Sequence, residues 1–333
     1  MSRRVLVVRS DNCGDVILAG PAVRAVATTS EVVLLTGPRS AGAGDLLPGV
    51  DETATLRLPW IDPDPIPWKP GDAALLQRFV EKLDCQEAVV LTSFHQSALP
   101  LALLLREAGV GRITAVSEDF PGNLVDVRSR PAVRLHEVER NLAVAADAGY
   151  ILAATDDGRL QVSERTVSPP ADADVVVHPG ASVPTRAIPH EVATAAVRAL
   201  AAEGHRVAVT GSPNERSLTA AVAGRHGLDL GGCTDLRELA ALLRGTAVVV
   251  CGNTGVAHLA AAVSTPVVSF FAPVMSWDQW RPYGVPTRRI GDQSAACAGT
   301  RARACPAPGH PCVSGVDVHA VVAAVAQLMG AQR

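Results

Sequence analysis

Short apolar runs alternate with polar loops and amphipathic stretches through the first half of the chain. Each run has the length of one buried strand of a parallel sheet. Apolar residues spaced three and four positions apart between the runs predict helices that pack on such a sheet. The predicted strands are Val5–Val8, Val32–Leu35, Ala88–Leu91 and Ile113–Val116, and the predicted helices begin near Asp15 and cover Ser97–Ala108 and His136–Gly149. This order is typical of an α/β domain with helices on both faces of the sheet.

The same alternation begins again after Thr155–Asp174, a polar stretch with adjacent prolines that we interpret as a linker. The second half contains the predicted strands Val175–Val177, Val207–Val209, Val248–Cys251 and Val267–Phe271, and the predicted helices His190–Glu203, Asn214–His226, Asp235–Arg244 and Val256–Val263. We therefore predict two doubly wound α/β domains, at residues 1–165 and 166–316. A last amphipathic helix within 317–333 needs an apolar surface to pack on.

Composition and charge exclude several classes of protein. The 333 residues include 30 basic and 33 acidic side chains, for a net charge of −3, and only 3% are aromatic. A non-specific nucleic-acid binder needs a basic excess and stacking aromatics, so we expect no nucleic-acid partner. Thr246–Trp277 has no charged side chain, but glycines, prolines and polar residues interrupt it, so we predict no transmembrane segment.

The N-terminal apolar run is too short for a signal peptide, and seven scattered cysteines fit a reducing compartment. We therefore expect a cytoplasmic protein, or one attached peripherally to the inner face of a membrane.

The loop after the first predicted strand carries the first candidate site. Ligand-binding loops of doubly wound domains lie at the carboxyl ends of the strands, and two such domains facing each other would form a cleft. Asp15 or Asp11 is a candidate general base there. Gly14 allows a ligand close to the backbone, and Asn12 completes the set of cleft residues. The alternative is that Asp15 only caps the following helix.

Two loops of the second half are candidate phosphate and nucleoside sites. Small residues including Ser182 follow the strand Val175–Val177, and Arg186 lies a turn further on, where it suits a phosphate. A solvated arginine in an ordinary loop is equally compatible with this pattern. Gly211 and Glu215 belong to a predicted turn and helix cap, in which Glu215 either binds ribose hydroxyls or is a solvated first-turn residue.

A third loop lies inside the long uncharged stretch. Asn253, Thr254 and Gly255 begin a predicted helix, whose exposed N–H groups form a site for an anion. Such a polar cluster is hard to explain by packing alone. His258, one turn into the helix, is either a phosphate partner or a buried core residue.

A soft-ligand cluster near the C-terminus contains Cys297, Cys305, His310 and Cys312. Its spacing lacks the tight pairs of zinc modules, so we predict no metal site. The chain also lacks a P-loop, a nucleophile elbow, a His-Glu-x-x-His motif and the glycine fingerprint of dinucleotide binding. We therefore expect no cofactor.

In their order and spacing, these motifs resemble glycosyltransferase family 9, the ADP-heptose heptosyltransferase type. The resemblance covers nearly the whole chain and rests on the following segments: Val5–Arg9 with Gly14-Asp15-Val16 and Pro21-Ala22, His178–Ser182, Thr210–Glu215, Cys251–Ala260 and Cys305–Cys312. It implies a GT-B fold, with an acceptor domain first, a nucleotide-sugar domain second and a last helix that crosses back to the first domain. It also implies an inverting enzyme with no obligatory metal.

The resemblance implies a role for each matching residue. Asp15 corresponds to the catalytic base, with Asp11, Asn12 and Gly14 on the acceptor side. The donor-site residues that it implies, together with their neighbours in the same loops, are Ser182, Arg186, Gly211, Glu215, Asn253, Thr254, Gly255 and His258.

The chain departs from the family at three of the matching positions. Asn253 stands where the family often has Asp, Arg186 replaces Lys, and Thr300 stands where many relatives have a second Cys. Because the first two positions lie in the donor loops, these departures affect donor identity more than reaction type.

The function implied is transfer of a sugar, with heptose as one candidate, from a nucleotide-diphosphate sugar to an acceptor hydroxyl. An ADP-sugar is the favoured donor, and the acceptor is a glycan, a glycolipid or a secondary metabolite. Two alternatives stay open: another GT-B enzyme of the epimerase or hydrolase type, and a non-catalytic nucleotide-sugar-binding protein.

Overall fold

The computed structural model describes residues 3–62, 66–163 and 167–331. The chain divides into two compact units, residues 1–163 and 164–333. The predicted boundary at residue 165 lies outside the described residues, as do residues 63–65. Each unit is an α/β domain, as predicted.

The N-terminal unit alternates strands and helices from its first described residue. Its elements are β1 (Arg3–Val8), α1 (Cys13–Leu18), α2 (Gly20–Ala27), β2 (Ser30–Thr36), α3 (Ala41–Gly44), β3 (Glu52–Thr55), α4 (Asp72–Glu81), β4 (Glu87–Val90), α5 (Leu99–Glu107), β5 (Arg112–Val116), β6 (Val127–Ser129) and α6 (Glu137–Asp147).

The C-terminal unit repeats this pattern. Its elements are β7 (Val175–His178), α7 (His190–Ala202), β8 (Val207–Gly211), α8 (Arg216–Ala223), β9 (Leu228–Gly231), α9 (Leu236–Arg244), β10 (Val248–Gly252), α10 (Gly255–Ala262), β11 (Val267–Phe270), α11 (Trp277–Trp280), β12 (Thr287–Ile290), α12 (Pro311–Ser314) and α13 (Val318–Gly330), with single 3-10 turns at Pro184–Arg186 and Pro213–Glu215.

Both units contain a six-stranded sheet with parallel pairing and the same topology. The strand order is β3-β2-β1-β4-β5-β6 in the first and β12-β11-β10-β7-β8-β9 in the second. In each sheet the order reverses between two central strands, β1 and β4 or β7 and β10. The connections from these strands leave in opposite directions, and this topological switch point is where doubly wound sheets bind ligands.

The sheets are covered on both faces because their central strands are apolar at every position. In β1, Leu6 and Val8 join a buried cluster with Leu101 and Leu105 of α5. Val5 and Val7 alternate with them and therefore point to the opposite face, where they are also fully buried. A strand buried on both faces appears in the sequence as a continuous apolar run, which is why these strands were predictable.

The prediction of one helix beginning near Asp15 was incomplete, because the structure contains two. Helix α1 ends at Leu18 and α2 begins at Gly20, with Pro21 in its first turn. Proline lacks the N–H that a continuous helix would use there, so it suits a helix start.

The last helix, α13, contacts α7 and the strands β10, β11 and β12 of its own unit. Its apolar stripe, which includes Val321, Val325 and Leu328, is buried. These contacts place the stripe on the C-terminal sheet, and packing on the N-terminal domain stays a prediction from the family resemblance. Among the described residues, no helix combines the length and apolar character needed to cross a membrane.

Candidate active site

A fully buried arginine lies at the switch point of the N-terminal sheet. Arg9 follows β1 directly, and its backbone N–H continues the ladder by donating to Leu35 at 3.0 Å. Its Nη2 donates to Ser93 Oγ at 3.0 Å, and Ser93 lies in the loop after β4. The guanidinium therefore joins the loops of the two strands between which the sheet order reverses.

Three carboxylates share this guanidinium. Nη2 lies 3.2 Å from Asp15 Oδ1 and 3.3 Å from Asp11 Oδ2, and Nη1 lies 2.8 Å from Glu137 Oε1. Burial lowers the pKa of Arg9, but the three carboxylates raise it by more, so its charge is fixed. A buried cation with several acidic partners is held in one geometry, because each lost contact would leave a buried charge uncompensated.

Asp15 is the member of this cluster with the most exposed carboxylate. Its side chain is 12% exposed, compared with 6% for Asp11 and 4% for Glu137. Oδ2 accepts from the backbone N–H of Asn12 at 3.2 Å, and Asn12 is the N-cap residue of α1. Asp15 is therefore not the N-cap that the alternative expected but lies at the third position of α1, where it accepts from the backbone of the N-cap, and its other oxygen is held by Arg9.

Asp11 and Asn12 differ from the cleft pattern expected for them. Asp11 is buried, and its Oδ2 accepts from Ser93 Oγ at 3.0 Å. Burial raises the pKa of Asp11 to about 6, with Arg9 opposing and Asp15 adding to the rise. Asn12 is exposed, and its Nδ2 donates to Asp15 Oδ2 at 3.3 Å. Gly14 is buried inside α1.

The switch point of the C-terminal sheet brings together the loops after β7 and β10. Gly252 ends β10, and a Cβ added there would lie 1.8 Å from the carbonyl oxygen of Arg186. Only glycine allows the Arg186 carbonyl group to come this close to residue 252. This contact places the turn that contains Arg186 directly against residues 253–258. Arg186 is partly exposed, and its Nη2 lies 3.4 Å from Met275 Sδ.

The start of α10 has two backbone N–H groups, those of Asn253 and Gly255, with no hydrogen-bond partner among the described residues. Thr254 is the N-cap, and its Oγ1 accepts from Val256 at 3.2 Å, while its own N–H donates to Gly252 O at 2.9 Å. The Thr254 N–H is therefore used by a tight turn, whereas those of Asn253 and Gly255 are available to an anion.

His258 and Asn253 lie beneath this turn. Both are buried, at 4% and 7% exposure, in the least polar part of the chain. A histidine this deep contributes to packing as well as to any polar contact.

Glu215 lies over the loop after β7, close to the glycine of its His-Pro-Gly sequence. Its Oε2 accepts from the backbone N–H and from Oγ of Ser212, both at 2.7 Å. A Cβ added at Gly180 would lie 1.9 Å from Glu215 Oε1, so the glycine makes room for this carboxylate. Ser182, in the same loop, is exposed.

Gly211 and His178 bring neighbouring elements together beside the loops after β7 and β8. A Cβ at Gly211 would lie 2.6 Å from Thr219 Cγ2, so Gly211 lets α8 approach β8. His178 Nδ1 lies 3.0 Å from Thr210 Oγ1, which joins the ends of β7 and β8. Burial lowers the pKa of His178, and the nearby Glu215 carboxylate opposes this shift.

The cysteine-rich segment forms a cavity of about 410 Å³ lined by Asp292, Cys297, Cys305 and Cys312, among others. The three thiols are not in disulfides. Burial raises the pKa of Cys312, and Cys297 and Cys305 add to this effect. Within the described ranges no group of three or more His, Cys, Asp or Glu residues is arranged to hold a metal ion.

The family model of glycosyltransferase family 9 (heptosyltransferase) matches residues 93–310. This match covers about two thirds of the sequence and includes the three candidate donor loops, which follow β7, β8 and β10. The chain belongs to glycosyltransferase family 9. It is therefore a glycosyltransferase of the heptosyltransferase type, with the GT-B fold that the resemblance implied. No curated protein sequence matches the chain significantly.

Solved structures with the same fold cover almost the whole chain. The ADP-heptose LPS heptosyltransferase II of Escherichia coli has 18% identity over 99% of each chain, with a TM-score of 0.74. A glycosyltransferase family 9 protein from Veillonella parvula DSM 2008 has 15% identity over 98% of this chain and 97% of its own, with a TM-score of 0.77. The E. coli heptosyltransferase WaaC, solved with ADP, has 18% identity over 98% and 99%, with a TM-score of 0.71.

Sequence reasoning found the loops but missed the group that holds Asp15. Arg9, Ser93 and Glu137 come from three separate elements, and only the tertiary structure brings them together. One signal was available: Arg9 directly continues a buried strand, where an arginine requires buried acceptors.

We predict that Gly252→Ala destabilises the C-terminal unit, because the methyl group would collide with backbone rather than with a flexible side chain. The thermal unfolding midpoint should fall by several degrees, as expected for overpacking of about 1–3 kcal/mol. Gly245→Ala is the matched control, since its nearest contact would be an ordinary 3.7 Å. Equal midpoints for the two variants would contradict the close approach.

We also predict that Arg9→Met costs about 3–5 kcal/mol of unfolding free energy near pH 8, because three buried carboxylates lose their cation. Without the cation, burial penalises the charged form of a carboxylate, so the folded variant binds more protons than the unfolded chain does and regains stability as pH falls. Denaturant unfolding at pH 8 and pH 5 tests this. The exposed Arg130 gives the control Arg130→Met, and a loss of equal size at both pH values would refute the shared-charge interpretation.

Proposed function

We propose that this protein is an inverting glycosyltransferase in which Asp15 is the general base. The observation that carries the proposal is the Asp15 carboxylate at the carboxyl edge of the N-terminal sheet, partly exposed and anchored to buried Arg9 at 3.2 Å. A carboxylate that is held in one orientation by Arg9 and Asn12, and whose side chain is 12% exposed, is suited to take a proton from a hydroxyl.

The donor in this proposal is a nucleotide-diphosphate sugar bound by the C-terminal unit. The start of α10 supplies the Gly255 N–H and the positive end of the helix dipole to the diphosphate. Arg186 lies against this turn through the Gly252 contact and adds a guanidinium. Glu215, in the neighbouring loop, is proposed to accept hydrogen bonds from ribose hydroxyls.

An ADP-heptose is the donor that we favour. The solved relatives include a WaaC structure with ADP and another with ADP-2-deoxy-2-fluoro heptose. Asn253 is neutral, so the donor loop of this chain has no carboxylate at that position to repel the diphosphate. The acceptor is proposed to be a hydroxyl of a glycan, a glycolipid or a secondary metabolite.

The reaction is a single displacement. The acceptor oxygen forms a bond to the anomeric carbon as the bond from that carbon to the diphosphate oxygen breaks on the opposite face. The hydroxyl proton moves to Asp15, and the electron pair of the broken bond leaves with the nucleoside diphosphate. Arg186 and the helix start stabilise the growing diphosphate charge. No step is routed through a metal or a cofactor.

We predict that Asp15→Asn lowers turnover by roughly 10²–10⁴-fold and leaves the dissociation constant for ADP unchanged. Turnover is measured as nucleotide release from ADP-heptose with a panel of acceptors, and ADP affinity by calorimetry. Asp84→Asn, an exposed position in the same unit, is the matched control. Wild-type turnover in Asp15→Asn would refute the base. Equal turnover without any acceptor would favour the epimerase or hydrolase alternative.

We predict that Arg186→Met weakens ADP binding roughly 10- to 100-fold, the value of a charge-assisted hydrogen bond of about 1.5–3 kcal/mol. Arg198→Met is the control, because Arg198 is an exposed residue of α7. An unchanged dissociation constant for ADP in Arg186→Met would show that Arg186 does not contribute to donor binding.

A further inference from the structure

Asp11 and Asp15 compete for one nitrogen atom. Nη2 of Arg9 lies 3.3 Å from Asp11 Oδ2 and 3.2 Å from Asp15 Oδ1. One carboxylate comes from the loop after β1 and the other from the first turn of α1, and each is held by a further hydrogen bond, Asp11 by Ser93 and Asp15 by Asn12. Two negative groups at one donor repel each other, and each weakens the hold of the cation on the other.

Asp11 is the more deeply buried of the two, and its environment is incompletely satisfied. Oδ2 accepts from Ser93, whereas Oδ1 is buried without a hydrogen-bond partner in the described part of the chain. Burial raises the pKa of this carboxyl to about 6, against the opposing effect of Arg9. The Asp11 carboxyl therefore takes up a proton nearer to neutral pH than an exposed aspartate does, and its side chain is only 6% exposed.

The surrounding charges come from three elements. Glu137 and Arg140 project from α6 into the same buried region, where Arg9 and Glu137 act in opposite directions on the pKa of Arg140. Glu118, after β5, also acts on Arg140. The titratable or charged groups that interact with the Asp11–Asp15 pair are Arg9, Glu137 and, for Asp15, the Cys13 thiol.

We propose that Asp11 is a positioning residue that sets how strongly Arg9 holds the Asp15 carboxylate, and thereby how basic Asp15 is. The inference rests on the proposed function of Asp15. Ionised Asp11 draws on the shared nitrogen and repels Asp15, so Asp15 gains proton affinity. When Asp15 takes the proton of the acceptor hydroxyl, it becomes neutral. The positive charge of Arg9 then stabilises the negative charge of Asp11 more strongly. Proton uptake by the base is therefore favoured by its buried neighbour.

Carbon-detected NMR of the full chain, labelled with ¹³C at the aspartate carboxyl carbons, tests the inference without any substrate. The Asp11→Asn and Asp15→Asn variants assign the two resonances. In the wild-type protein each resonance should move at the midpoint of the other as well as at its own, because the two groups titrate as a coupled pair. An Asp15 resonance with no inflection at the Asp11 midpoint would overturn the proposal.

The Asp11→Asn variant gives a second readout. Removing the competing charge should move the midpoint of the Asp15 resonance to lower pH than in the wild-type protein, since the like charge is gone and Arg9 is shared with one carboxylate fewer. Asp84→Asn is the matched control and should leave that midpoint in place. An unchanged Asp15 midpoint in a folded Asp11→Asn protein would also overturn the proposal, and if this variant does not fold, the wild-type titration decides.

Activity separates this inference from the proposed function. The acid limb of the kcat/KM profile for ADP-heptose should move to lower pH in Asp11→Asn, which a purely structural role would not cause. If Asp15→Asn retains turnover, the assignment of the base is wrong whatever the NMR shows. If Asp15→Asn is inactive and Asp11→Asn has the wild-type profile, only the role of Asp11 is wrong.

Discussion

The buried positive charge of Arg9 is the constraint on which the N-terminal site depends. A guanidinium without access to water needs acceptors and negative charge around it, and here Asp15, Glu137 and Ser93 accept from its two Nη atoms while Asp11 lies within ion-pair distance. The need is mutual, because the carboxylates are themselves buried or nearly so. Three elements of the fold, the end of β1, the start of α1 and the start of α6, are thereby fixed relative to one another. A proton acceptor in such a frame needs no reorganisation before it reacts.

The two units have the same sheet topology but place different chemical groups at the switch point. Each sheet reverses its strand order at its centre, and polar residues lie where the loops of the two central strands meet. In the first unit, buried charges join those loops. In the second unit, glycines allow the loops to come together. The missing side chain of Gly252 leaves room for the backbone of Arg186, and that of Gly180 leaves room for the carboxylate of Glu215. A rigid charged cluster suits a proton acceptor, and an uncharged turn with an unused N–H suits a diphosphate.

The pattern of apolar runs in the sequence predicted the central strands of the two sheets and missed their edge strands. β3, β6, β9 and β12 are the four outer strands of the two sheets, and none of them is buried along its whole length. An edge strand such as Thr287–Ile290 needs no continuous apolar run, so the pattern that revealed the buried strands is absent. The motif loops were found because small and polar residues directly follow apolar runs. Arg9 and Glu137, 128 positions apart, form a pair that no local pattern can show.

The anomeric configuration of the product tests the central claim most directly, since a base that only removes the acceptor proton allows one displacement at the reacting carbon. A donor of defined anomeric configuration is converted by the wild-type protein, and the new linkage is assigned by proton NMR before any secondary reaction. The account predicts that the configuration at the anomeric carbon is inverted. A product with retained configuration would require a route other than single displacement, and would contradict the role assigned to Asp15.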